Sequence, residues 1–148
     1  MTAEQMWAAF QQTHPQAKEY EAWAFCGGGE AADELAALVM SGDKVGTASA
    51  YALYEKEQEP LPQVGDYSVI LDSKEQAVCI IQTTKVSVVP FDEVSAHHAY
   101  CEGEGDKSLA YWREVHTRFF TKELQSIGMA FDEKMLVICE EFARVYPE

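Results

Sequence analysis

The hydrophobic positions change period several times along the chain, and each change marks an element. Thr2 with Gln5 has the form of a capping box. Met6, Trp7 and Phe10 follow at helical spacing up to the His14-Pro15 stop, which predicts a helix over about 2–14. The stretch KEYEAWAFCGGG ends in three glycines, a loop that allows close backbone approach. Ala31, Leu35, Leu38 and Val39 have helical spacing within 30–40, and Ser41-Gly42 is the stop. TASAYALY (47–54) alternates and predicts a strand, with Thr47, Ser49, Tyr51 and Leu53 on one face. Residues 55–66 read as a polar, proline-containing loop. YSVILD and AVCIIQTTKVSVV, joined by SKEQ, predict a hairpin with strands near 67–72 and 77–89. Beyond Pro90, Asp92 is placed to cap a short helix through EVSAHHAY, which CEGEGD breaks. Ser108 caps the strongest helix, near 108–123, with Leu109, Trp112, Val115, His116 and Phe119 on one side. KMLVICEEFARVY predicts a closing strand near 134–145, buried on both faces at Met135–Cys139.

This order contains no βαβ alternation and no repeat. Antiparallel strands have to hide their edges, and a small barrel with helices packed outside does so economically. The expected architecture is one α+β domain over residues 1–148, built on a mostly antiparallel β-barrel with flanking helices, the first helix being an extension.

Composition narrows the partners more than the fold. With 148 residues, 47% of them hydrophobic, the chain can bury a core without disulfides or metal. Cys26, Cys79, Cys101 and Cys139 form no CxxC pair or other metal-ligand spacing. The opening MTAEQMWAAFQQTHP has neither a basic nor an apolar signal region, and no apolar run approaches ~18 residues. A soluble protein of the reducing cytoplasm is expected, with no membrane contact and no resident cofactor or metal. The net charge of -14 sets 11 basic residues against 25 acidic ones, and only Arg113, Arg118 and Lys122 approach a cluster. A long phosphate backbone needs several cations at once, so the expected partner is a short RNA or a single nucleoside. Walker, GxGxxG, GxSxG and HExxH motifs are absent, which disfavours the hydrolases that carry them.

Candidate chemistry gathers in three places. In SGDKVGTAS, Gly42 can end the helix, while Lys44, Thr47 and Ser49 can begin a cleft. An amine three residues before a hydroxyl suits an activated nucleophile of the Ser–Lys kind. The same residues also read as an ordinary helix end followed by β-favouring threonine. In HHAYCEGEGD, Glu102 lies nearest the apolar AYC end and is the acid expected to face a cleft. Glu104 and Asp106 belong to a solvated loop or to an ion site that lacks EF-hand spacing. In YWREVHTRFF, Arg113 and His116 lie near one another on a helix and suit a carboxylate, phosphate or base. Trp23 and Phe25, before the glycines, can stack on a planar ligand or fill the core.

The combination of GDKVGT (42–47), LPQVGDYSVI and EGEGDKSLAYWREVHTRFF resembles the ASCH domain family over roughly residues 20–145. It is most similar to the family's bacterial stand-alone branch. The resemblance implies a PUA-like β-barrel with flanking helices and a cleft beside it, and an association with RNA or modified nucleosides. One small class in the family is an N4-acetylcytidine amidohydrolase whose proposed catalytic group is a lysine, a threonine three residues later and a downstream glutamate. By that resemblance Lys44, Thr47 and Glu102 are catalytic: Thr47 as nucleophile, Lys44 as its base, Glu102 as the group that orients the lysine or shuttles a proton. That class has an arginine where Ser49 stands here, and Arg113 is the candidate to replace it in space. Trp23, Phe25, Ser49, Arg113 and His116 are then the expected substrate-binding residues. The leading expectation is hydrolysis of an acylated nucleoside amide. A non-catalytic RNA- or nucleoside-binding module and a metal-dependent ribonuclease are the alternatives.

Overall fold

A computed structural model describes all residues, 1–148. Five strands form one sheet in the order β1-β3-β4-β5-β2: β1 (Glu21–Trp23), β2 (Gly46–Ala50), β3 (Tyr67–Leu71), β4 (Ala77–Pro90) and β5 (Leu136–Tyr146). The helices are α1 (Ala3–Thr13), α2 (Gly29–Ser41), α3 (Tyr51–Glu57), α4 (Ala96–Glu102) and α5 (Leu109–Gln125). The α+β expectation holds, but the barrel does not close. The sheet is mixed, with β1 parallel to β3 and every other pair antiparallel, and it curls into a half-barrel with β1 and β2 as free edges. The long β4 makes the curl: its register against β5 shifts at Ile80/Ile81 and again at Thr83/Lys85, and such bulges bend a strand and increase its twist.

Apolar faces fix where the helices sit. Met6, Trp7 and Phe10 of α1 pack with Val69 and Ile80, so the first helix is docked on the sheet. Leu35, Ala36 and Val39 of α2 join Phe25, Ile70, Cys79, Ile81 and Phe142. Trp112, Phe120 and Leu124 of α5 close over Ala50, Val137 and Cys139, with Phe91, Val94 and Ala99. All four cysteines are free thiols. No helix is long and apolar enough to cross a membrane.

Several expected boundaries move. The strand expected over 47–54 divides after Ala50, and Tyr51–Glu57 is helical. Its pairing partner explains the break, because Ala50 is already opposite Val137, one residue from the start of β5. Beyond that point no strand offers hydrogen bonds, and the Ala, Leu, Glu and Lys of YALYEKE favour helix. Asp92 does not cap α4: Ser95 does, accepting from the His98 amide at 3.0 Å. The capping box at Thr2, the Ser108 cap and the left-handed Gly42 that ends α2 are as expected.

Candidate active site

Lys44 lies between α2 and β2, and two backbone bonds fix it there. Its amide donates to Leu38 O at 3.0 Å, and the next amide, Val45, donates to Cys101 O at 2.7 Å. Val45 O in turn accepts from Phe142 of β5 at 2.9 Å. The end of α4 is thereby tied to the entry of β2. Gly103 makes the approach possible. It ends α4 in the left-handed conformation, and a Cβ there would lie 2.0 Å from Asp43 O. The glycine of the EGEGD motif is required by backbone contact.

This junction brings Lys44 onto Glu102 across 58 positions of sequence. Both side chains are buried, each residue 2% exposed. The Lys44 ammonium donates to Glu104 Oε2 at 3.0 Å and to Glu102 O at 3.4 Å, lies 3.5 Å from Glu102 Oε1, and sits 5.1 Å over the Phe25 ring. Glu102 Oε2 accepts from His98 Nε2 at 2.8 Å and from Trp112 Nε1 at 2.6 Å. His116 Nε2 lies 3.5 Å from Glu102 Oε1, while its Nδ1 donates to Trp112 O at 2.9 Å and its ring stacks on Trp112 with centroids 4.1 Å apart. Burial pushes the Glu102 carboxyl up, but the hydrogen bonds from His116 and His98 and the Lys44 charge outweigh it. The group is held well below the ordinary glutamate range.

Thr47 makes no hydrogen bond within this network. It occupies β2 opposite Glu140 of β5, and residues directly opposite in an antiparallel pair project to the same face. Lys44 precedes the strand and its amine is taken up by Glu102 and Glu104 at the end of α4, so no hydrogen bond joins it to Thr47, the nucleophile that the resemblance paired with it. Glu140 has an acid's unusual environment. Burial raises it to about 7, the acids Asp66 and Glu21 push the same way, and the 3.4 Å bond from Thr83 Oγ1 opposes only in part. Ser49, on the same face, pairs with the Tyr54 hydroxyl at 2.9 Å.

The remaining expected residues separate. His116 joins the Glu102 network as a buried support. Phe25 is buried core beneath Lys44, and Trp23 packs edge-on against it with centroids 4.9 Å apart. Trp23 also lines a cavity of about 580 Å³ between the glycine loop and residues 71–75, remote in composition from Lys44, Thr47 and Glu102. Arg113 does not replace the missing arginine: its guanidinium donates to Asp92 O at 3.1 Å and Val94 O at 3.4 Å, tying α5 to the segment before α4. The sequence reading missed His98, Trp112 and Glu140. His98–Glu102 and Trp112–His116 are i,i+4 pairs, a signal that a search for facing side chains would find.

Comparisons agree with this architecture. The ASCH domain model matches residues 21–146. An ASCH domain from Lactobacillus crispatus JV V101 is 32% identical, with a TM-score of 0.89 over 95% of this chain and 92% of that one. A protein from Enterococcus faecalis V583 is 38% identical, with a TM-score of 0.89 over 96% of this chain and 86% of that one. The hypothetical protein PH0355, at 18% identity and a TM-score of 0.57 over 86% of this chain and all of that one, shares the fold alone. No curated protein matches. With a family model covering the half-barrel and the Lys44–Glu102 junction alike, the chain belongs to the ASCH domain family.

Proposed function

We propose that this protein is a small hydrolase that cleaves the acyl amide of a modified nucleoside. The observation that carries the reading is the cross-strand pairing of Thr47 with Glu140, a carboxyl whose proton leaves near neutrality. A general base works best with a pKa close to the operating pH, and a hydroxyl beside it is the nucleophile such a base activates. Lys44 lies between Glu102 and Glu104 and contributes an electrostatic contact instead of a hydrogen bond to the nucleophile. The base role therefore moves from Lys44 to Glu140. Thr47 Oγ1 attacks the amide carbonyl carbon while its proton passes to Glu140. The C–N bond breaks as Glu140 returns that proton to the leaving nitrogen. Water then attacks the threonyl ester as Glu140 takes one of its protons, and Glu140 passes that proton to Thr47 Oγ1 as the ester C–O bond breaks, releasing the free acid and restoring both groups.

The Glu102 network supports a functional reading independently. A buried ion pair adds little to stability over apolar residues of equal volume, so a lysine and a glutamate buried together with two histidines and an indole point to a site. A second reading, a non-catalytic module for a short RNA or modified base, is favoured by one feature: every close partner of the Lys44 amine is already inside the protein. Purified protein incubated with acylated cytidines and short RNAs, with and without EDTA, separates the two. Amide cleavage that persists in EDTA and disappears in Thr47→Ala supports the hydrolase. Saturable binding with no turnover replaces it with the binding module.

A further inference from the structure

Helix α4 carries two i,i+4 pairs side by side. His98 and Glu102 face inward to Lys44; His97 and Cys101, each one residue earlier, face β5. There Glu141 completes a group: one ligand atom from each of His97, Cys101 and Glu141 lies within 4.8 Å of the others. We propose that these three side chains form a binding site for a borderline-soft divalent metal, zinc above all, with one coordination position open to a pocket of about 110 Å³.

The His97–Cys101 distance fits tetrahedral zinc before any ion binds. With metal–nitrogen bonds of about 2.05 Å and metal–sulfur bonds of about 2.3 Å, tetrahedral angles set nitrogen and sulfur about 3.6 Å apart. His97 Nε2 lies 3.5 Å from Cys101 Sγ. The same construction puts nitrogen and carboxylate oxygen about 3.3 Å apart, and His97 Nε2 lies 3.9 Å from Glu141 Oε1. The His97 side chain, 69% exposed, has room to turn toward Glu141 as the ion binds. Glu141 is already oriented, because Lys85 Nζ sits 3.7 Å from its other oxygen, Oε2, and leaves Oε1 to the group.

The donor chemistry selects the metal. A thiolate, an imidazole and a carboxylate suit zinc, whereas calcium and magnesium require oxygen ligands. A coordinated thiol gives up its proton, so the bound site offers a neutral ring and two negative charges to the dication. Three protein ligands leave the fourth position for water or a small anion, on the side of Ser87, Ser95 and His98. Because Cys101 adjoins Glu102 and Glu141 adjoins Glu140, an ion here would clamp α4 to β5 between the two carboxyl sites described above.

Cobalt(II) provides the test, since thiolate ligation produces a near-ultraviolet charge-transfer band and tetrahedral geometry produces intense visible bands. The titration uses full-length protein carrying Cys26→Ser, which removes the exposed thiol, kept reduced and free of chelator. One equivalent of cobalt should saturate both features, and one equivalent of zinc should abolish them. His97→Ala, at an exposed position, should keep the fold and weaken cobalt binding by at least ~10-fold. Cys101→Ser should lose the charge-transfer band. Absence of a saturable cobalt spectrum, or an unchanged spectrum and affinity in His97→Ala, overturns the proposal whether or not the buried Cys101→Ser variant folds.

Discussion

Replacing Glu140 by glutamine removes a carboxyl that burial holds near neutrality, and the structure sets the size of the effect. Glu140 rises from an ordinary 4.5 to about 7, chiefly by burial, with Asp66 and Glu21 adding to it and Thr83 and His98 opposing it. In the unfolded chain the group titrates near the ordinary value. Between about pH 4.5 and 7 the folded state therefore holds a proton that the unfolded state has released. Stability falls with rising pH wherever the folded state binds more protons, so this group's penalty grows across that window and is constant above it. A displacement of that size corresponds to about 3 kcal/mol.

Glutamine keeps an oxygen for the Thr83 hydroxyl, has nearly the same volume and carries no charge. Urea unfolding of wild type and Glu140→Gln at pH 5, 6, 7 and 8 measures the difference directly. The two should be close at pH 5, and the variant should gain up to about 3 kcal/mol by pH 8. Taking the difference cancels the histidines and other acids that both proteins share. The same substitution should lower amide hydrolysis at least ~100-fold, since an amide cannot accept the proton of Thr47. Stability gained with activity lost is the signature of a group strained for function. A stability difference that does not change from pH 5 to 8 would refute the reasoning at its root.

Thr47→Ala should leave the unfolding midpoint nearly unchanged, reduce turnover at least ~100-fold and be non-additive with Glu140→Gln, which a double-mutant cycle on kcat reads. Lys44→Met, in contrast, should cost about 3–5 kcal/mol, because it strands the buried Glu102 charge; chemical denaturation shows this, and a wild-type midpoint would mean that the pair is not buried in solution. Gly103→Ala should cost at least about 1–3 kcal/mol from its left-handed backbone alone, and more from the clash with Asp43 O, with loss of soluble protein or an early thermal transition as the readout.

Four of the five helices were legible because their signals are local. Thr2 with Gln5, Ser108 and Gly42 act within one turn, and these three are caps in the fold, whereas Ser95 takes the place expected of Asp92. The hairpin of β3 and β4 was legible for the same reason. What escaped depends on distant partners. Three residues of β1 have no period to detect, and they become a strand only because β3 accepts them in parallel. TASAYALY alternates through small alanines, a pattern that leaves strand and helix nearly balanced, and the end of β5 decides between them. Barrel closure is less legible still. It requires the two edge strands to meet, and no local pattern in β1 or β2 reports that they do not.

The site divides along the same line. Lys44 and Glu102 could be named from motifs, but the direction in which each points is set by a contact no motif contains: the close approach of Gly103 to Asp43. At that junction the Lys44 amine meets Glu102 and Glu104, and it makes no hydrogen bond to Thr47. Glu140 was hidden just beyond Met135–Cys139, the stretch expected to be buried on both faces, where an acid reads as the strand's turn toward solvent. It is instead paired on both sides, to Thr47 of β2 and Val86 of β4. Burial raises the Glu140 carboxyl, and its register against β2 sets it across from the Thr47 hydroxyl. A base and its nucleophile need that combination. Here the placement follows from β5 lying between β4 and β2, where Glu140 is set opposite Thr47.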